Sequence, residues 1–101
     1  MIDGVKVGRY WDKTAEIDVV SVDDNGEVVF AGECKWSAKP ISVGPGKALM
    51  EKVQRLWPGR REKIKLGLFC GAGFTKTAHT WAKENSAWLV DADEIAGVGY
   101  P

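Results

Sequence analysis

The stretches A-E-I-D-V-V-S-V (residues 15–22), D-D-N-G (23–26) and E-V-V-F-A-G-E-C-K-W (27–36) decide the fold of this chain. The first stretch alternates polar and apolar residues and then runs apolar, which predicts a β-strand with one buried face. Asn25-Gly26 supplies the positive φ angles that a tight hairpin turn requires. Residues 27–36 are therefore expected to return as a second strand, antiparallel to the first.

Further elements are predicted on both sides of this hairpin. In chain order they are a strand at residues 5–11, a loop at 40–46, a helix at 47–57, a strand at 64–70, a helix from Thr75 to about 85, a strand at 87–90 and a helical turn at 92–96. The first helix has apolar residues at helical spacing and stops at Pro58-Gly59, and Thr75 is the predicted N-cap of the second. The order β-β-β-α-β-α-β predicts an α/β fold, a mixed β-sheet with flanking helices.

Length and composition point to one soluble domain that spans residues 1–101. Apolar residues make up 45% of the chain and charged residues 28%, which is ordinary for a globular protein. No apolar run approaches the roughly 20 residues that cross a bilayer, and the first residues lack the apolar core of a secretory signal. We therefore expect a cytoplasmic protein without a membrane span. Cys34 and Cys70 match no metal-binding spacing and are predicted to be buried free thiols.

The charges are unevenly distributed although the net charge is zero. Residues 1–34 contain eight acidic and three basic residues, whereas residues 35–65 contain nine basic and two acidic residues. An acidic segment followed by a basic one suits a metal site beside a phosphate-binding face. Solvated loops and one polar helix face would produce the same distribution, so charge alone leaves both interpretations open.

The hairpin strands carry the residues with the clearest chemical meaning. Strand alternation predicts that Asp18 points away from Ile17, and that Glu33 and Lys35 point away from Cys34, which together with Ile17 would face the core. Two carboxylates and an ammonium group would then converge, which is unfavourable unless a cation binds there. Mg²⁺ suits such a pair because it takes one or two carboxylates and keeps several waters. A ladder of cross-strand ion pairs on a half-exposed hairpin is the alternative.

The residues around this hairpin also resemble a known family. The segments V-G-R-Y-W-D-K (7–13), A-E-I-D-V-V (15–20) and F-A-G-E-C-K-W (30–36) are similar to the PD-(D/E)XK, or restriction-endonuclease-like, nuclease superfamily. More narrowly, they resemble the C-terminal domain of archaeal ATPases, and L-G-L-F-C-G-A-G-F-T-K-T-A (66–78) continues the similarity, which covers residues 5–95. The resemblance implies a DNA endonuclease that hydrolyses phosphodiester bonds with Mg²⁺ or Mn²⁺.

The same resemblance implies roles for individual residues. Asp18, Glu33 and the backbone carbonyl of Cys34 would bind the metal, and Lys35 would be the catalytic lysine. Members of the superfamily usually have a helix before the first strand, whereas this sequence starts at that strand. We therefore expect a restriction-endonuclease-like core that lacks the usual first helix, either a C-terminal module of a larger ATPase or a trimmed nuclease. The sheet face left open would be covered by an N-terminal ATPase domain or by a second copy in a homodimer.

Four residues are predicted to bind DNA: Trp36, Lys39, Lys47 and Lys52. The two lysines on the polar side of the first helix would touch the phosphate backbone, or they would simply form a solvated helix face. Trp36, like Trp11, would flank the site and stack on bases, although tryptophans more often fill a core.

Two further features have lesser roles in these predictions. His79 has no partner apparent in the sequence and is expected at the surface. Gly44-Pro45-Gly46-Lys47 lacks the spacing of a phosphate-binding P-loop. The alternative to a nuclease is a non-catalytic module that binds DNA or a protein beside an ATPase.

Overall fold

The computed structural model describes residues 6–12 and 15–92, which form one five-stranded sheet and two α-helices. The elements are β1 (Lys6–Trp11), β2 (Glu16–Val22), β3 (Val28–Lys35), α1 (Gly44–Leu56), a 3-10 turn (Arg61–Lys63), β4 (Lys65–Cys70), α2 (Lys76–Asn85) and β5 (Trp88–Val90). The strand order is β1-β2-β3-β4-β5, antiparallel from β1 to β3 and parallel from β3 to β5. The predicted mixed α/β fold is confirmed.

The predicted hairpin joins β2 and β3. Gly26 has a φ of 77°, and its N–H donates to the carbonyl of Asp23 at 3.0 Å. The Asp23 side chain accepts hydrogen bonds from the backbone of Asn25 and Glu27, so one carboxylate holds the whole turn. Apart from Ala92, the helical turn predicted at 92–96 lies outside the described residues.

Both helices have boundaries that follow from their terminal residues. Helix α1 begins at Gly44, earlier than the predicted residue 47, because Pro45 lies in the first turn, where a missing N–H costs nothing. Helix α2 begins as predicted, and the Thr75 side chain accepts a hydrogen bond from the N–H of Ala78. Neither helix is long and apolar enough to cross a membrane, a finding that covers residues 6–12 and 15–92.

The chain topology places α1 and α2 on the same face of the sheet. Each helix connects two adjacent parallel strands, and such crossovers are right-handed, so strands added in one direction receive their helices on one side. The core lies between this face and the helices. Its fully buried side chains include Ile17, Leu66 and Leu68 from the sheet and Leu49 and Val53 from α1.

The opposite face of the sheet is covered by its own aromatic side chains. Phe30 lies across two glycines, since a Cβ at Gly67 would come within 2.6 Å of its ring and one at Gly32 within 2.9 Å. The Phe30 ring is 5.7 Å from that of Trp88, and Lys65 Nζ lies 5.1 Å from the Trp88 ring. The two glycines therefore allow the aromatic ring to pack flat against the strands.

A β-bulge in β2 breaks the alternation that the sequence predicts. Gly8 pairs with Val20 and Tyr10 with Ile17, so two steps along β1 match three steps along β2. Ile17 and Val20 are consequently both buried although they are three positions apart, an odd spacing that regular alternation would place on opposite faces. A bulge redirects the side chain beside it, and Asp18 lies within this one.

The predicted orientation of β3 was wrong at its C-terminal end. Ile17 is buried as expected, but Cys34 is exposed and Glu33 is buried, with only 5% of its surface accessible. Residues 31 and 33 share a face, and Ala31 lies in the core under the helices, so Glu33 points toward α1. The prediction failed because it assumed that the charged residue must face outward. Cys70 is buried, as predicted.

Candidate active site

The predicted site lies where β2 and β3 separate. Their pairing runs from Val22 to Val19 on β2, and the last pair is Val19 with Gly32. Asp18 lies one residue beyond this pair, and its Oδ2 accepts a hydrogen bond of 2.9 Å from the N–H of Cys34. A side chain thus replaces the backbone pairing at this point, which fixes the Asp18 carboxylate against the end of β3.

The electrostatics of Asp18 show which charged groups surround it. The hydrogen bond from the Cys34 N–H is the main cause that lowers the pKa of Asp18 below its ordinary value, against the opposing effect of partial burial. Hydrogen bonding with the Glu33 carboxyl and the positive charges of Arg9 and Lys35 lower the pKa further. The fold therefore brings Asp18, Glu33 and Lys35 together, and it keeps Asp18 ionised.

Glu33 has a second partner that the sequence did not predict. Lys52 on α1 places its Nζ 2.7 Å from Glu33 Oε1 and 2.9 Å from the backbone carbonyl of Glu16. Lys52 was predicted to bind DNA from the polar side of the helix, whereas the structure directs its ammonium group to a buried carboxylate. The sequence could have indicated this contact, because Lys52 lies at the border of the buried face of α1, beside Val53 and three residues after Leu49.

Cys34 contributes its backbone to the site and exposes its thiol. Partial desolvation and the negative charges of Asp18 and Glu33 raise the pKa of this thiol. The thiol is therefore protonated at neutral pH and is a poor metal ligand in that form. Coordination through the Cys34 carbonyl remains a prediction from the family resemblance.

The residues present fit a metal ion that needs few protein ligands. In the part of the chain that the structure describes, no group of three or more His, Cys, Asp or Glu side chains is arranged to hold a metal. Asp18 and Glu33 nevertheless form a pair of carboxyl groups close enough for Glu33 to affect the pKa of Asp18. Mg²⁺ accepts such a set, because it uses one or two carboxylates and fills its other positions with water and substrate phosphate.

The remaining predicted residues lie at the surface. Trp36 is 98% exposed and Trp11 is 74% exposed, so neither of them fills the core. Lys39 and Lys47 are also exposed. His79 is exposed on α2, in edge-to-face contact with Phe74 at 6.1 Å, which agrees with the surface position predicted for it.

Comparisons with known sequences cover less than half of the chain. A family model described as archaea bacterial proteins of unknown function, DUF234, matches residues 2–49. The matched segment contains Asp18, Glu33 and Lys35. No curated protein sequence matches the chain.

Solved structures match the fold over most of the described residues. EndoMS in complex with double-stranded DNA has a TM-score of 0.59 at 16% identity, and the match covers 88% of this chain and 36% of that one. EndoMS in its apo form has a TM-score of 0.61 at 17% identity, with 89% and 38% covered. A repair endonuclease from Pyrococcus abyssi has a TM-score of 0.54 at 12% identity, with 84% and 38% covered.

These matches show that the chain has an endonuclease-like fold. At such low identity the similarity concerns the fold alone. The chain spans little more than a third of the length of the structures that it matches.

Proposed function

We propose that this chain is a metal-dependent DNA endonuclease domain that hydrolyses phosphodiester bonds. The observation that carries the proposal is the junction of β2 and β3, where Asp18 and Glu33 meet beside Lys35. Like charges at a strand junction are unfavourable unless a cation or the chemistry requires them. The endonuclease-like fold supports the same conclusion at the level of architecture.

Each residue of the site would have a distinct task. Asp18 and Glu33 would hold Mg²⁺ or Mn²⁺, and Asp18 is suited to this because its lowered pKa keeps it ionised. Such an ion, when bound, acidifies a coordinated water and offsets negative charge on the phosphate. Lys35 would place its ammonium group next to the scissile phosphate, where it would orient the attacking water or stabilise the transition state.

The Lys52–Glu33 ion pair stabilises the site in the absence of a metal. The Lys52 ammonium group neutralises the Glu33 carboxylate, which is 5% exposed, so the site can fold before any metal binds. The same ion pair favours a second candidate function, a non-catalytic module that binds DNA or protein beside an ATPase, because Glu33 is already satisfied by the chain itself. Metal binding and cleavage separate the two candidates.

The decisive experiment combines Mn²⁺ calorimetry with a cleavage assay on duplex, single-stranded and branched DNA. We expect one weakly bound ion in the parent, and no binding in Asp18→Ala or Glu33→Ala. Lys35→Ala should keep its metal affinity and lose a hundredfold or more in cleavage rate, on the order of 3 kcal/mol of barrier. DNA binding without cleavage of any substrate, with either metal, would favour the non-catalytic module.

A further inference from the structure

Two tryptophans are exposed at the edge of the sheet that carries the candidate site. We call this the site edge: the C-terminal ends of β1, β3 and β4 together with the N-terminal end of β2, which the strand directions place side by side. Trp11 is the last residue of β1, and Trp36 directly follows β3. Large exposed aromatic side chains are costly in water and commonly mark binding surfaces.

The segments around both side chains are held by hydrogen bonds. After Trp36, the Ser37 hydroxyl donates to the carbonyl of Lys39 and accepts from its N–H, at 2.6 and 3.2 Å. Ile41 then pairs with the segment before α2, where it accepts from the N–H of Thr75 at 2.9 Å. Trp36 therefore lies at the start of a loop that hydrogen bonds anchor on its C-terminal side.

Trp11 is held in a comparable way on the other side of β2. It pairs with Glu16, and the N–H of the next residue, Asp12, donates to the carbonyl of Ala15 at 2.9 Å. The Asp12 carboxylate accepts hydrogen bonds from the Ala15 N–H at 2.9 Å and from the Tyr10 hydroxyl at 2.6 Å. In the sheet β2 lies between β1 and β3, so Asp18 is on the strand between the two tryptophans.

From these positions we propose that Trp36, assisted by Trp11, is a stacking site for unpaired nucleobases. This inference rests on the proposed function and names its substrate class: DNA with unpaired nucleotides next to the scissile phosphate. Inside a duplex, both faces of a base are covered by its neighbours, whereas an unpaired base can stack on an indole ring. Two exposed lysines that follow Trp36 in the chain, Lys39 and Lys47, would bind the phosphates between successive bases.

The position of Trp36 relative to the site supports a nucleobase over a protein partner. Trp36 directly follows Lys35, which would contact the scissile phosphate, so the ring would stack on a base next to that phosphate. Aromatic rings interleaved with lysines match the repeating base and phosphate units of a single strand. Because Trp36 is 98% exposed, its replacement does not disturb the core.

The test measures DNA affinity in EDTA, where no cleavage is needed. Single-stranded, duplex and gapped oligonucleotides are titrated by fluorescence anisotropy against the parent, Trp36→Ala, Trp36→Phe and Trp88→Ala. Trp88 is the matched control, because it is also exposed (56%) but lies at the start of β5, away from the site edge. We expect Trp36→Ala to weaken binding to single-stranded and gapped DNA by roughly ten- to hundredfold. Duplex binding should change less than twofold, Trp36→Phe should retain most of the affinity, and Trp88→Ala should match the parent.

Two results of the binding experiment would overturn the inference. One is an equal loss for duplex and single-stranded DNA in Trp36→Ala, and the other is no loss for either, which would leave the indole to a protein partner. The binding experiment stands apart from catalysis, so a parent that binds unpaired DNA through Trp36 without cleaving it would refute only the proposed function. A parent that cleaves duplex and gapped DNA equally fast, with Trp36→Ala unchanged, would refute only the stacking site.

Discussion

Replacement of Lys52 by methionine tests how the buried Glu33 carboxylate is stabilised. Lys52 Nζ lies 2.7 Å from Glu33 Oε1, and the side chains of the two residues are 29% and 6% exposed. Methionine fills a similar volume along the helix but has no charge. In Lys52→Met, Glu33 would remain buried next to a second carboxylate, that of Asp18, and we expect a clear loss of stability.

The size of the loss follows from the burial of the two groups. Removal of one partner from a fully buried ion pair costs roughly 3–5 kcal/mol. Lys52 is partly exposed, so water can replace some of its interaction, whereas the lost hydrogen bond to the Glu16 carbonyl adds about 1 kcal/mol. We expect the free energy of unfolding to fall by about 2–3 kcal/mol at pH 7 in EDTA. The double variant Glu33→Gln/Lys52→Met should recover most of it, since a neutral amide needs no counter-ion.

The assay is urea unfolding followed by tryptophan fluorescence, which reports on the buried Trp81. Lys47→Met is the control, because Lys47 is exposed on the same helix and its loss should change stability by less than about 0.5 kcal/mol. Added Mn²⁺ should stabilise Lys52→Met more than the parent, because the ion then meets no competing ammonium group. An unchanged midpoint in Lys52→Met would refute this account of Glu33, as would a double variant that loses the sum of both single losses.

Three further outcomes are expected. Gly46→Ala should lower stability by about 2 kcal/mol in thermal unfolding, because its Cβ would lie 2.5 Å from the Trp81 ring. Gly44→Ala is the control, because its Cβ would lie in open space, and it should lose no stability. Above about pH 4 ionised Asp18 stabilises the fold, and this is lost as pH falls through its lowered pKa, so acid unfolding should depend less on pH in Asp18→Asn. Lys47→Ala should weaken DNA binding equally for all sequences. It should also lower the slope of log affinity against log salt concentration by about one, because one phosphate contact is lost.

Local sequence patterns were sufficient to predict most of the elements. The Asn25-Gly26 turn needs no tertiary context, because its φ angles and the Asp23 hydrogen bonds are set within five residues. The N-cap at Thr75 is similarly local. The start of α1 was missed because Gly44-Pro45 suits both a loop and a first helical turn, and the sequence does not reveal that Gly46 packs against Trp81.

The sequence predicted which residues form the candidate site but not how their side chains are oriented. Asp18, Glu33 and Lys35 could be selected from their residue types and from the hairpin that joins their strands. The β2 bulge, which places Asp18 against the Cys34 N–H, depends on pairing with β1 across the sheet. A pattern of period two cannot indicate the residue inserted in β2. The orientations of Glu33 and Cys34 were inverted for a different reason: the charged residue was assumed to face outward, and its burial depends on Lys52.

The sequence by itself determined the strand and helix order, the hairpin and the three charged residues that meet at its open end, because these depend on spacing over a few residues. Tertiary structure alone decided that both helices cover one face of the sheet, that Lys52 reaches Glu33 and that Trp11 and Trp36 stay in solvent. These features depend on contacts between residues far apart in the chain, where burial of one group is set by the packing of another. The buried carboxylate of Glu33 is stabilised because a helix that begins eleven residues later places a lysine beside it.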